Sequence, residues 1–200
     1  MTTDETFCPL VFRHHAAGTM KLRKMDAELF DLQGPVVPLT FLDPEGREHQ
    51  VWANAETGLL LGLQSLYIAT GLLPGALIAI TPEERPGRFQ LSLAGEDEHA
   101  TISPERLEQL LALAEEAAQM EPSLYELTRQ LMSATPEGAR FERLHAELNV
   151  VRRTTRLQLA SLLSYYQCFR PKDSQGDLWG YAPEAIAAGA IASKLKYVVQ

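Results

Sequence analysis

The pattern of apolar and polar positions changes character about halfway along the chain. Before residue 103, short runs of β-branched, aromatic and aliphatic residues are separated by turn chemistry; beyond it, apolar positions recur three and four residues apart. In the first half, residues 7–13, 19–24, 35–42, 48–54, 59–61, 76–81, 88–93 and 99–102 read as strands. Asp43-Pro44-Glu45-Gly46 between two of these runs is good turn chemistry, so the runs form a hairpin. Residues 64–70 read as one or two helical turns, and Gly71-Leu72-Leu73-Pro74-Gly75 leads into the next strand. Many short strands with one or two small helices predict a β-rich barrel or pseudobarrel over residues 1–102.

The second half predicts helices. Ser103-Pro104-Glu105 combines a cap, a first-position proline and first-turn acid, and opens an amphipathic helix over 104–120 with an acidic outer face. Glu121-Pro122-Ser123 ends it and caps a helix over 124–134. Phe141, Leu144, His145 and Leu148 define another over 141–149, and after a short link Leu157, Leu159, Leu162 and Leu163 mark a helix over 155–165. Residues 168–170 and 178–181 read as a hairpin around Ser174-Gln175-Gly176-Asp177. In residues 183–200, Ile186, Ala190, Ile191 and Leu195 make an apolar helical stripe with small residues beside it, a surface for the wing or for a second subunit. The expectation is an α+β chain: a small β-rich barrel or pseudobarrel over 1–102, then a mainly helical domain over 103–200.

The order helix, turn, helix, two-stranded wing between Phe141 and Tyr181 resembles the winged helix-turn-helix superfamily. That resemblance implies that helix 155–165 enters the major groove of duplex DNA and that the wing, residues 168–181, lies against the backbone or minor groove. It places Arg152, Arg153, Thr154, Thr155 and Arg156 around the start of the recognition helix, Gln158 and Ser161 along its exposed side, and Arg170 and Lys172 on the wing. Arginines beside a helix start suit phosphate, and Arg and Gln carry the two-point groups that read guanine and adenine. The competing reading has Arg152, Arg153 and Arg156 paired with Glu142 or Glu147 on a solvated helix start, in a module that docks a protein. Tyr165, Tyr166, Phe169, Trp179 and Tyr181 either stack bases or pack the core and wing.

The charged hairpin, Trp52, Leu61-Gly62-Leu63, Tyr67 and Leu73-Pro74-Gly75 are similar to the pseudobarrel DNA-binding domain of plant transcription factors and restriction-enzyme effector domains. That likeness implies a basic arm, here Arg13, His14, His15, Lys21, Arg23 and Lys24, forming a second DNA-contact region. A second arm should fall near residues 53–58, which hold Glu56 and no base. Dimerisation or partner binding by the barrel is the other reading.

Composition narrows the classes further. The 200 residues are 46% hydrophobic and 22% charged, globular values. The net charge of −8 is uneven: 9 basic against 21 acidic residues over 1–139, −12, and 9 against 5 over 140–200, +4. The basic end coincides with the helix-turn-helix pattern. No apolar run approaches a membrane span and the first residues are acidic, so a cytoplasmic location is expected and no membrane partner. Cys8 and Cys168 lie far apart and predict buried thiols rather than a disulfide or zinc module. His14-His15 lacks a third ligand and reads as a solvent-facing pair in a polar loop, so no metal or other cofactor is expected.

Phosphate-loop, nucleophile-elbow and metalloprotease motifs are absent. The expected function is therefore non-enzymatic: a regulatory or DNA-maintenance protein binding double-stranded DNA. The alternative is a protein-interaction scaffold, with the acidic helix 104–120 and the segment 183–200 as surfaces for a protein partner and a homodimer. A cryptic cysteine–histidine enzyme is the third reading.

Overall fold

Strict alternation is clearest where Leu39, Phe41, Val51 and Ala53 are buried while Val36, Pro38, Gln50 and Trp52 face out. These residues lie on β3 (Val36–Leu42) and β4 (Glu48–Asn54), paired antiparallel with Thr40 opposite Gln50. The hairpin turn is organised by Asp43, whose Oδ1 accepts the backbone N–H groups of Glu45 (3.0 Å) and Arg47 (2.9 Å). Burial pushes the Asp43 carboxyl up, but the Arg47 backbone N–H, the His49 ring and the Arg47 guanidinium outweigh it and hold it at about 2.

The computed structural model describes residues 6–22, 29–95 and 101–187. The chain is mixed α+β and divides into two units, Met1–Ser103 and Pro104–Gln200. The first unit contains β1 (Thr6–Pro9), α1 (Phe12–Ala17), β2 (Thr19–Lys21), β3, β4, β5 (Leu59–Leu61), α2 (Gln64–Thr70), β6 (Leu77–Pro82) and β7 (Arg88–Gly95). Its seven strands form one sheet in the order β1-β6-β7-β3-β4-β5-β2. All pairings are antiparallel except β3 with β7, where Thr40 lies opposite Arg88. Arg88 reinforces that seam by reaching Glu48 on β4 (2.7 Å).

The two edge strands are joined by α1 alone. Laid flat, seven strands would hold their edges about 29 Å apart. The connection from Leu10 to Gly18 contains a six-residue helix and spans only about 20 Å. The sheet is therefore curled into a half-barrel. Phe30, Phe41 and Phe89 fill its interior, with ring centroids 4.7 Å apart for Phe30–Phe89 and 5.5 Å for Phe41–Phe89.

The second unit contains α3 (Pro104–Met120), α4 (Leu124–Ser133), β8 (Ala139–Arg140), α5 (Phe141–Val151), α6 (Arg156–Tyr165), β9 (Phe169–Pro171), β10 (Leu178–Tyr181) and α7 (Glu184–Ala187). The strands pair in the order β8-β10-β9. Ser123 and Glu126 form a capping box at the start of α4. Buried Glu147 on α5 accepts from Arg106 on α3 (2.6 Å) and from Arg143 one turn earlier (2.7 Å), tying α3 to α5. Leu127, Leu131, Leu144, Leu148, Leu159, Leu163 and Phe169 are buried.

Several local expectations change. Residues 7–13 are not one strand: Pro9 ends β1 and Phe12–Ala17 is helical, closed by Gly18 at φ +60°. The strand beginning at Thr19 ends at Lys21, and Arg23 and Lys24 lie outside the described residues. Of residues 99–102, Thr101 and Ile102 are not in a strand, and buried Ile102 is anchored by donating its N–H to the Pro74 carbonyl (2.9 Å). In the closing segment the helix is described only over Glu184–Ala187, so Ala190, Ile191 and Leu195 of the proposed dimer stripe lie outside the described residues.

Two outcomes test these local constraints. Gly138 has φ +102°, and a Cβ there would stand 2.7 Å from the Trp179 carbonyl oxygen, whereas a Cβ on Gly46 (φ +78°) meets nothing within 4 Å. Gly138→Ala should cost about 1–3 kcal/mol and more than Gly46→Ala in urea unfolding. The depressed Asp43 pKa contributes stability that is complete above about pH 4 and lost as pH falls toward 2. Asp43→Asn should lower the melting temperature at neutral pH and flatten its dependence over that acid range.

Candidate nucleic-acid interface

The helix pair α5–α6 is held by a polar bolt across its turn. Asn149 accepts the Thr154 backbone N–H (3.1 Å) and donates to the Thr154 carbonyl (3.0 Å), while His145 Nε2 stands 3.1 Å from the same carbonyl. Thr155 then caps α6: its hydroxyl accepts from the Gln158 N–H, and Gln158 Oε1 accepts from the Thr155 N–H (2.9 Å) and hydroxyl (3.0 Å). Leu159 and Leu163 anchor the inner face, and Arg156, Leu157, Gln158, Ser161, Ser164 and Tyr165 are exposed.

The residues expected to meet DNA have distinct surroundings. Thr154 is only 5% exposed and its hydroxyl donates to the Arg152 carbonyl, so it is a structural residue of the turn. Thr155 and the side-chain carbonyl of Gln158 are committed to the cap, which removes half of the two-point grip on adenine expected of Gln158. Lys172 donates to the carbonyls of Pro136 (3.1 Å) and Glu137 (2.9 Å), and its stem lies against Gly180 and Gly138; it fastens the β9–β10 hairpin rather than reaching outward. Arg156 pairs with Glu142, whereas Glu147 is taken by Arg106 and Arg143. Arg152 donates to the Pro122 carbonyl (2.7 Å) and Arg170 to that of Gln167 (3.3 Å), bonds that leave their charge without a carboxylate partner among the described residues. Exposed Arg153 has no side-chain partner among the described residues. Ser161 is exposed on α6.

The aromatic residues largely pack together: Tyr166 against Tyr125 (4.4 Å between centroids) and Tyr181 against buried Phe169 (5.9 Å). Tyr165 is the more exposed member of the group.

In the first unit the basic arm is divided. Arg13 and Lys21 are exposed. His14 and His15 sit on α1, half-buried, which corrects their reading as a solvent-facing loop pair: His14 Nδ1 lies 2.9 Å from Thr19 Oγ1, and His15 Nε2 lies 3.0 Å from the Leu72 carbonyl while its ring stacks on Tyr67. Burial, then the charges of Arg13 and Lys21, lower the His14 pKa; burial lowers that of His15, against its bond to Leu72. Neither is therefore a ready cation. Residues 55–58 form a turn in which Asn54 Oδ1 accepts the Thr57 N–H (2.9 Å).

Other chemistry is dispersed. Cys168 is buried with Sγ 3.8 Å from the Tyr125 hydroxyl, and Cys8 is half-buried on β1. A cavity of about 210 Å³ is lined by Pro44, Thr70, Leu72, Leu73, Leu91, Leu93 and neighbours, with no cysteine or histidine. Unforeseen in the sequence, Asp43, His49 and Ser65 form a hydrogen-bonded series of 3.2 and 3.3 Å. Asp43 in that series also organises its turn, and neither His49 nor Ser65 lines the cavity. No metal-holding group of three His, Cys, Asp or Glu occurs among the described residues, and no described helix is long and apolar enough to cross a membrane.

No protein-family model matches the chain, and no curated protein matches it. Among solved structures it is similar to a hypothetical Arabidopsis thaliana protein, with 13% identity and a TM-score of 0.36 over 46% of this chain and 91% of that one.

The histidines set a pH dependence. Burial lowers the His145 pKa, against its bond to the Thr154 carbonyl, and the Arg156 charge lowers it further. Since His14, His15 and His145 are all harder to protonate folded than unfolded, the stability they leave intact at neutral pH should fall as pH drops below about 6.5. Thermal melts between pH 8 and 5 should show this fall, and His15→Gln with His145→Gln should reduce its slope.

Proposed function

We propose that this chain is a non-enzymatic, cytoplasmic protein that binds double-stranded DNA through a winged helix-turn-helix in its C-terminal unit, in a regulatory or DNA-maintenance role. The observation that carries the reading is the bolted α5–α6 pair, with α6 turned to solvent and Arg152, Arg153 and Arg170 flanking it without carboxylate partners among the described residues. The order α4, β8, α5, α6, β9, β10, with β10 between β8 and β9, supports it, because it is the arrangement in which a wing flanks a recognition helix. Lys172 is the fastening of that wing, and Arg152, Arg153, Arg156 and Arg170 supply the phosphate contacts.

The N-terminal half-barrel is assigned as a pseudobarrel, with Arg13 and Lys21 the exposed cations for a second DNA contact. A homodimer through residues 183–200 would present two recognition helices to two half-sites. A second reading, a scaffold in which α6 docks a protein, is favoured by the Arg156–Glu142 pair, which spends one of the expected DNA cations inside the module.

Fluorescence anisotropy with labelled duplex DNA separates the two. Affinity should fall with salt at about one logarithmic unit per phosphate neutralised, and Arg152→Glu with Arg153→Glu should lower it at least about tenfold on every sequence. Absence of binding at low salt, or indifference to both reversals, would leave the scaffold reading standing.

A further inference from the structure

The exposed face of α6 carries one large apolar side chain on its first turn, between flanks whose charges are basic. Leu157 is 77% exposed, the most exposed large apolar side chain among the described residues. Ser161 and Ser164, one and two turns further along the same stripe, are exposed and small, so nothing on that stripe overtops the leucine. A lone exposed leucine is ordinary on a protein surface. This one is set apart by its place on the first turn of the helix and by what its neighbours have been used for.

The groups that would read bases by two-point hydrogen bonding are withdrawn from this stripe. Gln158 spends its carbonyl on the Thr155 cap, and Arg156 is held by Glu142. What remains at the tip is a branched aliphatic group, with two hydroxyls behind it and Arg152 and Arg153 before it. The apolar feature of a major groove is the C5-methyl group of a pyrimidine, and a branched aliphatic side chain is its natural complement. The basic surroundings match a polyanion, which an apolar peptide is not.

Resting on the DNA-binding reading above, we infer that Leu157 is the specificity-determining residue of α6 and packs against the C5-methyl group of a pyrimidine in the major groove. Thymine carries that methyl, and so does 5-methylcytosine. Recognition then runs by methyl packing at the centre of the interface and by arginine–phosphate bonds around it, and sequence preference follows the pattern of methyl groups rather than of guanine or adenine edges.

The experiment uses the full chain and a short mixed-sequence duplex in three versions: ordinary bases, every thymine replaced by uracil, and that uracil duplex with every cytosine replaced by 5-methylcytosine. All three carry the same phosphates. The wild type should bind the uracil duplex about fourfold more weakly for each methyl group that Leu157 covers in the ordinary duplex, the value of burying one methyl group. Leu157→Ala should bind all three versions equally while keeping the wild-type salt slope and, the side chain being exposed, the wild-type melting temperature.

Recovery of affinity on the 5-methylcytosine version extends the recognition to both pyrimidines; no recovery confines it to thymine; a gain there alone assigns it to methylated cytosine. Equal wild-type affinity for all three duplexes overturns the inference, as does a methyl preference that survives in Leu157→Ala. Lack of salt-dependent binding to any duplex overturns the DNA-binding reading beneath it instead.

Discussion

The shortness of the link between the two edge strands governs the N-terminal unit. Because β1 and β2 are joined through Leu10–Gly18 alone, the sheet must bend until its edges come within reach of one small helix. That helix then has to pack closely: a Cβ on Gly18 would stand 2.7 Å from Gln64 at the start of α2, and the Gly18 carbonyl accepts the Leu63 N–H (2.8 Å). His15 completes the closure by stacking on Tyr67, whose hydroxyl donates to the Thr19 carbonyl (3.0 Å). The histidine pair is therefore absorbed into the architecture, which is why it contributes less to a basic arm than its position among cations suggests.

The C-terminal unit depends on polar groups in the same way. Glu147 gathers two arginines from two helices, and Asn149 with His145 holds the turn before α6. Each is a buried or half-buried polar group with hydrogen-bond partners on a neighbouring element or turn, so these bonds specify one arrangement of the helices where leucine packing alone would tolerate several. The cost is that much of the cationic content is consumed internally. The basic excess of the chain's end is a poor guide to its outward-facing charge, which on the described residues resides mainly in Arg152, Arg153 and Arg170.

Much of the fold was legible where chemistry is local. Asp43-Pro44-Glu45-Gly46 marks its turn, Ser123 with Glu126 marks the start of α4, and leucine spacing marks α5 and α6, because turns, caps and helical periodicity are decided within a few residues. What remained hidden was decided by distant partners. Phe12 and Arg13 look like the end of a strand and His14-His15 like a polar loop until the need to bridge two edges makes Phe12–Ala17 helical. Lys172 looks like a free cation on its hairpin, yet the carbonyls it holds belong to residues more than thirty positions earlier. The helix pair and the hairpin after it were thus legible from sequence as elements, while the burial of Thr154, the commitment of Gln158 to its cap and the exposure of Leu157 follow only from packing and bonding.

The strand order also dictates when each unit can form. In the half-barrel, Thr6 must wait for Ile80 and the parallel seam joins Thr40 to Arg88, so closure brings together segments tens of residues apart. In the helical unit most partners are neighbours, and the longest strand pairing joins Ala139 to Trp179. Pairing between segments distant in sequence slows folding, and pairing between near neighbours speeds it. The unit synthesised first is therefore the slower to finish, and the sheet edge that β1 completes stays open until the ribosome has delivered β6, a window in which the unpaired strands are the part of the chain most in need of shielding.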